Sequence, residues 1–132
     1  MIAKPAAAAS VDLYIAVDHR GPVTVLRTLG DVDVYSAAQL RETVNNLITL
    51  GHHRLVLDLA GLEFTDSTGI GVMVGAHKRL KAAAGSIALA AVPENLVRVL
   101  KITGLTRVFP VYATADDAVT ALQPPPATER AH

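Results

Sequence analysis

Arg54-Leu-Val-Leu-Asp-Leu59, followed a few residues later by Ser67-Thr-Gly-Ile-Gly-Val-Met-Val-Gly-Ala-His-Lys-Arg-Leu-Lys81, decides the fold. The first run is apolar almost throughout and of strand length, which fits a strand buried on both faces. The second places Ile70, Met73, Val74, His77 and Leu80 at helical spacing on one face. It predicts a helix from near Ser67 to about Ala83, with Lys78, Arg79 and Lys81 near the end where cations suit the helix dipole and Gly85 as the stop. Residues 60–66 read as a connecting loop. Ile87 to Val92 is then another buried strand. Strands joined through helices run mostly parallel, with right-handed crossovers.

The pattern extends in both directions. Upstream, Ser36 and Gln39 have capping-box spacing, Leu40, Val44, Leu47 and Ile48 form an apolar stripe, and Gly51 supplies a stop. Before that helix, Val11–Val17 and Val23–Leu29 are β-rich runs joined by Asp18-His-Arg-Gly-Pro22, a hairpin signature. Downstream, Pro93 opens a third helix with Leu96, Val99, Leu100 and Thr103 on one side and Gly104 at its end. Val108–Tyr112 makes a last strand, which Pro110 confines to a sheet edge. Thr114 and Asp117 cap a final helix through Ala118, Val119 and Leu122. The order β-β-α-β-α-β-α-β-α predicts an α/β fold, a single mixed, mostly parallel sheet with helices packed against it.

Composition narrows the function. The 132 residues are one domain's worth, 51% hydrophobic and 18% charged, which argues against disorder. Twelve basic and twelve acidic side chains cancel, so no field favours a nucleic-acid partner. Without cysteine there is no disulfide or thiolate metal site. No apolar run is long enough to span a membrane, and Met1 to Ser10 lacks the apolar stretch of a signal peptide. Residues 1–10 read as a flexible lead-in, the proline-bearing 123–132 as a flexible tail, and the protein as cytoplasmic.

Each candidate site has a bland counterpart. Gly69, Gly71 and Gly75 fall short of a dinucleotide fingerprint, because Val74 stands where the third glycine belongs and a loop separates strand from helix. They read instead as positions of close helix approach. His19, His52, His53, His77 and His132 show no ligand spacing, so no metal or other cofactor is expected. Ser67 lacks the paired glycines of a nucleophile elbow and a base placed by sequence, so no catalytic residue is assigned. What remains for Ser67 is helix N-cap or phosphate acceptor. Spacing favours the cap, with Thr65 and Asp66 as competitors.

Asp58-Leu-Ala-Gly-Leu-Glu-Phe-Thr-Asp-Ser-Thr-Gly-Ile-Gly71 resembles the signature loop and helix start of STAS domains. More narrowly it is similar to the bacterial anti-anti-sigma factors, or anti-sigma factor antagonists. Gly30-Asp-Val-Asp33 with Tyr35-Ser-Ala-Ala-Gln-Leu40 resembles the same family's stretch before its first helix. The likeness spans about Val11 to Leu122, which makes residues 11–122 the expected domain. It implies a non-enzymatic binding module. Ser67, or alternatively Thr68, would be phosphorylated by a partner that is both anti-sigma factor and serine kinase. The unphosphorylated form would hold that partner, the phosphorylated form would release it, and a PP2C-type phosphatase would reset the cycle. Asp33 would help shape the partner surface and Asp66 precedes the acceptor. Gly69 and Val72, off the helix's core stripe, would join Asp33, Tyr35, Asp66, Ser67 and Thr68 in a contact patch. A homodimer is permitted but not required. The competing reading is a non-switching STAS scaffold subunit of a stress-signalling or lipid-transport complex.

Overall fold

The computed structural model describes residues 13–124. The lead-in expected at 1–10 and the tail beyond Pro124 lie outside them. Strands β1 (Leu13–Arg20), β2 (Val23–Val32), β3 (Arg54–Thr65), β4 (Ser86–Ala90) and β5 (Val111–Tyr112) form one sheet in the order β1-β2-β3-β4-β5. Helices α1 (Ala37–Thr49), α2 (Ser67–Ala82), α3 (Glu94–Ile102) and α4 (Ala115–Leu122) join or follow them, with a short 3-10 turn at Leu105–Arg107. β1 and β2 are antiparallel through a two-residue turn at Gly21 and Pro22, with Gly21 at φ +63°. The other neighbours pair parallel. The element order and mixed sheet are those expected from the sequence.

Alternation along the strands gives each face of the sheet its own core. Leu26, Leu55, Leu57 and Leu89 point to one side, where they pack with Leu40 and Val44 of α1, Met73 and Leu80 of α2, and Leu100 of α3. Val25, Val56, Ala88 and Ala90 point to the other, where the short α4 covers them with Ala118, Val119 and Leu122. Small side chains on that second face let one short helix close it.

Several elements differ from expectation. Residues 60–65 are strand, not loop: β3 pairs with β2 as far as Val32 opposite Thr65. The pairing shifts register between Arg27 and Leu29 and again between Gly30 and Asp31. A Cβ on Gly61 would run into the Leu29 side chain and stand 2.8 Å from the Thr28 carbonyl, so glycine is what lets the two strands close at the irregularity. Its poor strand propensity hid the extension in the sequence.

The buried stripe of α2 is Gly69, Val72, Met73, Ala76 and Leu80. Ile70, Val74 and His77 are only half-buried. Reading by side-chain size chose the larger residues, whereas Gly69 and Ala76 face the sheet because small residues let the helix sit close. On α3, Leu96 and Leu100 are buried but Val99 and Thr103 are exposed. Pro93 stands just before that helix, in extended conformation. At the end of α1, Gly51 (φ +94°) fills the left-handed position as expected, and the Gly51 and His52 amides return to Ile48 and Leu47. The end of α2 is built alike, but Ala84 occupies the left-handed position (φ +57°). Gly85 serves another purpose there, since a Cβ on it would collide with the His53 carbonyl.

Candidate functional site

The register of β2 and β3 assembles the site. Val32 pairs with Thr65, so Asp33 and Asp66 leave the sheet side by side at its carboxyl end. Asp66 stays tied to β2, its amide donating to the Val32 carbonyl at 3.2 Å. Each aspartate then organises the start of a helix.

Asp33 does so through a tight turn. Its carboxylate accepts the Tyr35 and Ser36 amides, both at 2.9 Å, and its carbonyl accepts the Ala37 amide at 2.8 Å. The buried Ser36 hydroxyl donates to the Asp31 carbonyl at 2.7 Å and accepts the Asp33 amide at 3.0 Å. The expected capping box is therefore not formed. Ser36 is already helical (φ −93°, ψ −14°) and the Gln39 amide group reaches away to the Leu13 carbonyl at 3.3 Å. Asp33 has taken the capping role from three residues earlier.

Asp66 caps α2 directly. It is extended (φ −105°, ψ −169°), and its carboxylate accepts the Thr68 amide at 2.9 Å and the Thr68 hydroxyl. Ser67 is consequently the first helical residue, not the cap: it is exposed and takes no part in these bonds. Thr68 is half-buried with its hydroxyl engaged by Asp66.

Both carboxylates stay ionised well into acid. The Ser36 amide, helped by the Tyr35 amide, holds Asp33 below the usual carboxylate value, against opposition from partial burial and the negative charge of Asp66. The Thr68 hydroxyl and then its amide lower Asp66 in the same way, again against partial burial. The strand ends that lead into the two helices thus carry two ionised carboxylates at neutral pH, one of them on the residue just before Ser67.

The other members of the expected patch divide. Tyr35 is 85% exposed. Gly69 and Val72 are buried, contrary to expectation: Val72 is 5% exposed within the main core, and a Cβ on Gly69 would press on Thr65 and Val32. The α2 stripe is rotated toward them from the face read in the sequence. Asp58 lies down the sheet, 3.5 Å from Arg27, and belongs to strand pairing. Two residues that the sequence reading did not single out expose large apolar side chains near the aspartates along the chain: Val34, 63% exposed, directly follows Asp33, and Phe64, 52% exposed, shortly precedes Asp66. Large apolar side chains immediately beside a polar motif were the available signal. Phe64 falls in the stretch whose Gly61 weakens the strand signal, and Val34 lies between the β2 and α1 signals.

Nothing in the site has the makings of a metal centre: among the described residues no group of three or more His, Asp or Glu could hold an ion. His19 and His52 do meet, with ring centroids 4.6 Å apart, although they are distant in sequence. His77 packs edge-on against Phe109 at 5.8 Å. Nor does any described helix have the length and apolarity to cross a membrane.

A mixed sheet with a capped helix rising from its central strand, and an aspartate turn beside that cap, is the frame of a STAS domain. The STAS family profile matches residues 14–118, and the chain belongs to the STAS domain family. Within it the chain is similar to proteins named as antagonists rather than as catalysts. It is 39% identical to the anti-sigma-B factor antagonist of Bacillus subtilis over 90 residues, covering 68% of this chain and 82% of that one. It is 29% identical to the anti-sigma F factor antagonist of Paenibacillus polymyxa over 114 residues, 86% of this chain and 97% of the relative. The crystal structure of an anti-sigma factor antagonist from Mycobacterium paratuberculosis superposes with a TM-score of 0.76 at 28% identity, over 83% and 93% of the two chains.

Proposed function

We propose that this chain is a cytoplasmic anti-sigma factor antagonist, which binds an anti-sigma factor with serine kinase activity and is released when Ser67 is phosphorylated. The observation that carries the reading is the division of labour at the start of α2. Asp66 does the capping, Thr68 has its hydroxyl occupied, and Ser67 alone offers an exposed, uncommitted hydroxyl. The fold has no need of that hydroxyl, so it is free to act as a switch.

The chemistry of the switch follows from its surroundings. A helix N-terminus tolerates a phosphate, because its unpaired amides and positive dipole end favour an anion there. Modification therefore need not unfold the domain. It adds about −1.5 to −2 charges at neutral pH beside Asp33 and Asp66, which are ionised already. A partner surface fitted to the neutral hydroxyl, and to the exposed Tyr35, Val34 and Phe64 side chains near the aspartates, would meet added bulk and unpaired charge. A PP2C-type phosphatase would restore the binding form.

Calorimetric titration of an anti-sigma factor into wild type, Ser67→Ala and Ser67→Asp tests the reading. Ser67→Ala should bind as wild type does, and Ser67→Asp about a hundredfold more weakly, a loss of about 3 kcal/mol. Equal binding of all three would leave a non-switching scaffold as the better description.

A further inference from the structure

Beside the switch lies a second feature, separate from the Ser67 hydroxyl and the two aspartates. An open groove of about 220 Å3 runs between α1 and α2. Its floor includes the buried Val44 and Val72, and Gly71 and Gly75 form part of the α2 wall. Those glycines are not there for packing. Both are exposed, and a Cβ on either would meet nothing within 4 Å. A helix-interior glycine is less stable than alanine by about 0.5–1 kcal/mol, so two of them keep a surface hollow at a cost to the helix. Arg41 from α1 and Arg79 from α2 also line the groove. Among the described residues neither guanidinium has a carboxylate within 4 Å, whereas Arg20 and Arg27 do. Ser67, Gly71, Gly75 and Arg79 follow one another in four-residue steps, so the groove begins one turn below the switch serine.

We propose that this groove receives an acidic segment of the anti-sigma partner, with apolar side chains over the two glycines and carboxylates on Arg41 and Arg79. The inference rests on the partner named under the proposed function and specifies the chemistry of its docking segment. Charge complementarity selects the occupant: guanidinium groups at an apolar hollow suit carboxylates, which they can hold through paired hydrogen bonds. Contact with the backbone at Gly71 and Gly75 demands close approach, which those residues alone on this face permit. The groove also extends the effect of phosphorylation. A phosphate on Ser67 places negative charge at the head of the groove and opposes an acidic occupant there, in addition to any clash at Ser67 itself.

The test uses purified anti-sigma factors, that of the sigma-B system of Bacillus subtilis among them, titrated into the full-length chain. With the anti-sigma factor that binds wild type, Arg41→Glu and Arg79→Glu should each weaken binding roughly tenfold and more steeply at low salt. Gly75→Leu should fill the hollow and weaken binding roughly tenfold with little dependence on salt. Unfolding midpoints report whether each variant is folded; the arginine reversals, at exposed positions, decide the matter if Gly75→Leu is not. Folded variants that bind within about twofold of wild type would overturn the proposal. So would loss of a self-association of the chain alone, measured by sedimentation, since the occupant would then be a second copy. If wild type itself binds no anti-sigma factor, the functional reading fails first and the groove assignment falls with it, a result distinguishable from failure of the variants alone.

Discussion

Replacing Gly69 and Gly71 separately by alanine should move stability in opposite directions, although the two stand two residues apart in one motif. At Gly69 a new Cβ would collide with the Thr65 hydroxyl and stand 2.9 Å from Val32 Cγ1 and 3.3 Å from Val32 Cβ. Val32 is 1% exposed and cannot give way, so the start of α2 must shift outward. Overpacking of this kind costs about 1–3 kcal/mol. The helix-propensity gain of Gly→Ala, about 1 kcal/mol, offsets part of it and leaves a net loss of up to about 2 kcal/mol. At Gly71 the added methyl group meets nothing within 4 Å, and the propensity gain stands alone. The difference between the variants cancels the propensity contribution and isolates the contact at about 1–3 kcal/mol. Urea unfolding of wild type and both variants measures it, provided the slopes agree. For a domain of this size each kcal/mol corresponds to roughly 4 °C in thermal midpoint. Two variants within about 0.5 kcal/mol of each other would refute the close-approach role given to Gly69.

Other consequences are smaller in scope. Asp66→Ala removes the α2 cap and should cost about 1 kcal/mol in urea unfolding, whereas Ser67→Ala should stay within about 0.5 kcal/mol of wild type. Asp33 and Asp66 titrate lower in the folded chain than their ordinary value, so their stabilisation is fully present above the unfolded carboxylate pKa of about 3.9 and fades as pH falls through the folded values. Unfolding midpoints should therefore be insensitive to these two groups from pH 7 to 5 and fall below about pH 4, less steeply in an Asp33→Asn/Asp66→Asn variant. Ala84→Gly relieves a left-handed alanine at the end of α2 and should raise stability by about 0.5–1 kcal/mol, read by thermal denaturation.

Elements were legible where one signal acted alone. The apolar run of β3, the Thr114–Asp117 cap of α4, with its 3.1 Å bond, and the Gly51 stop depend on local chemistry and stand as read. Readings failed where tertiary geometry reassigned a residue. Gly61 weakens strand propensity, yet the register shift in β2 needs it, so half of β3 passed for loop. The core face of α2 was chosen by side-chain size, while the sheet selected Gly69 and Ala76 for closeness. The same misjudged rotation placed Val72 outside. At the site, spacing alone marks Ser67 and Asp66 as rival caps and prefers Ser67, while Asp33 and the role of Ser67 as phosphate acceptor come only with the resemblance. Which of them caps and which stays free depends on hydrogen bonds to Tyr35, Ser36 and Thr68 that no spacing rule distinguishes.

The central claim is that Ser67 is the free hydroxyl of this helix start and the residue that receives phosphate. Incubating the full-length chain with anti-sigma kinases and ATP, then locating the modification by tandem mass spectrometry, tests it most directly. One phosphate on Ser67, with loss of modification in Ser67→Ala and its retention in Thr68→Val, is the expected result. Phosphate on Thr68 in the wild-type chain, or no modification by a kinase that binds the chain tightly, would contradict it.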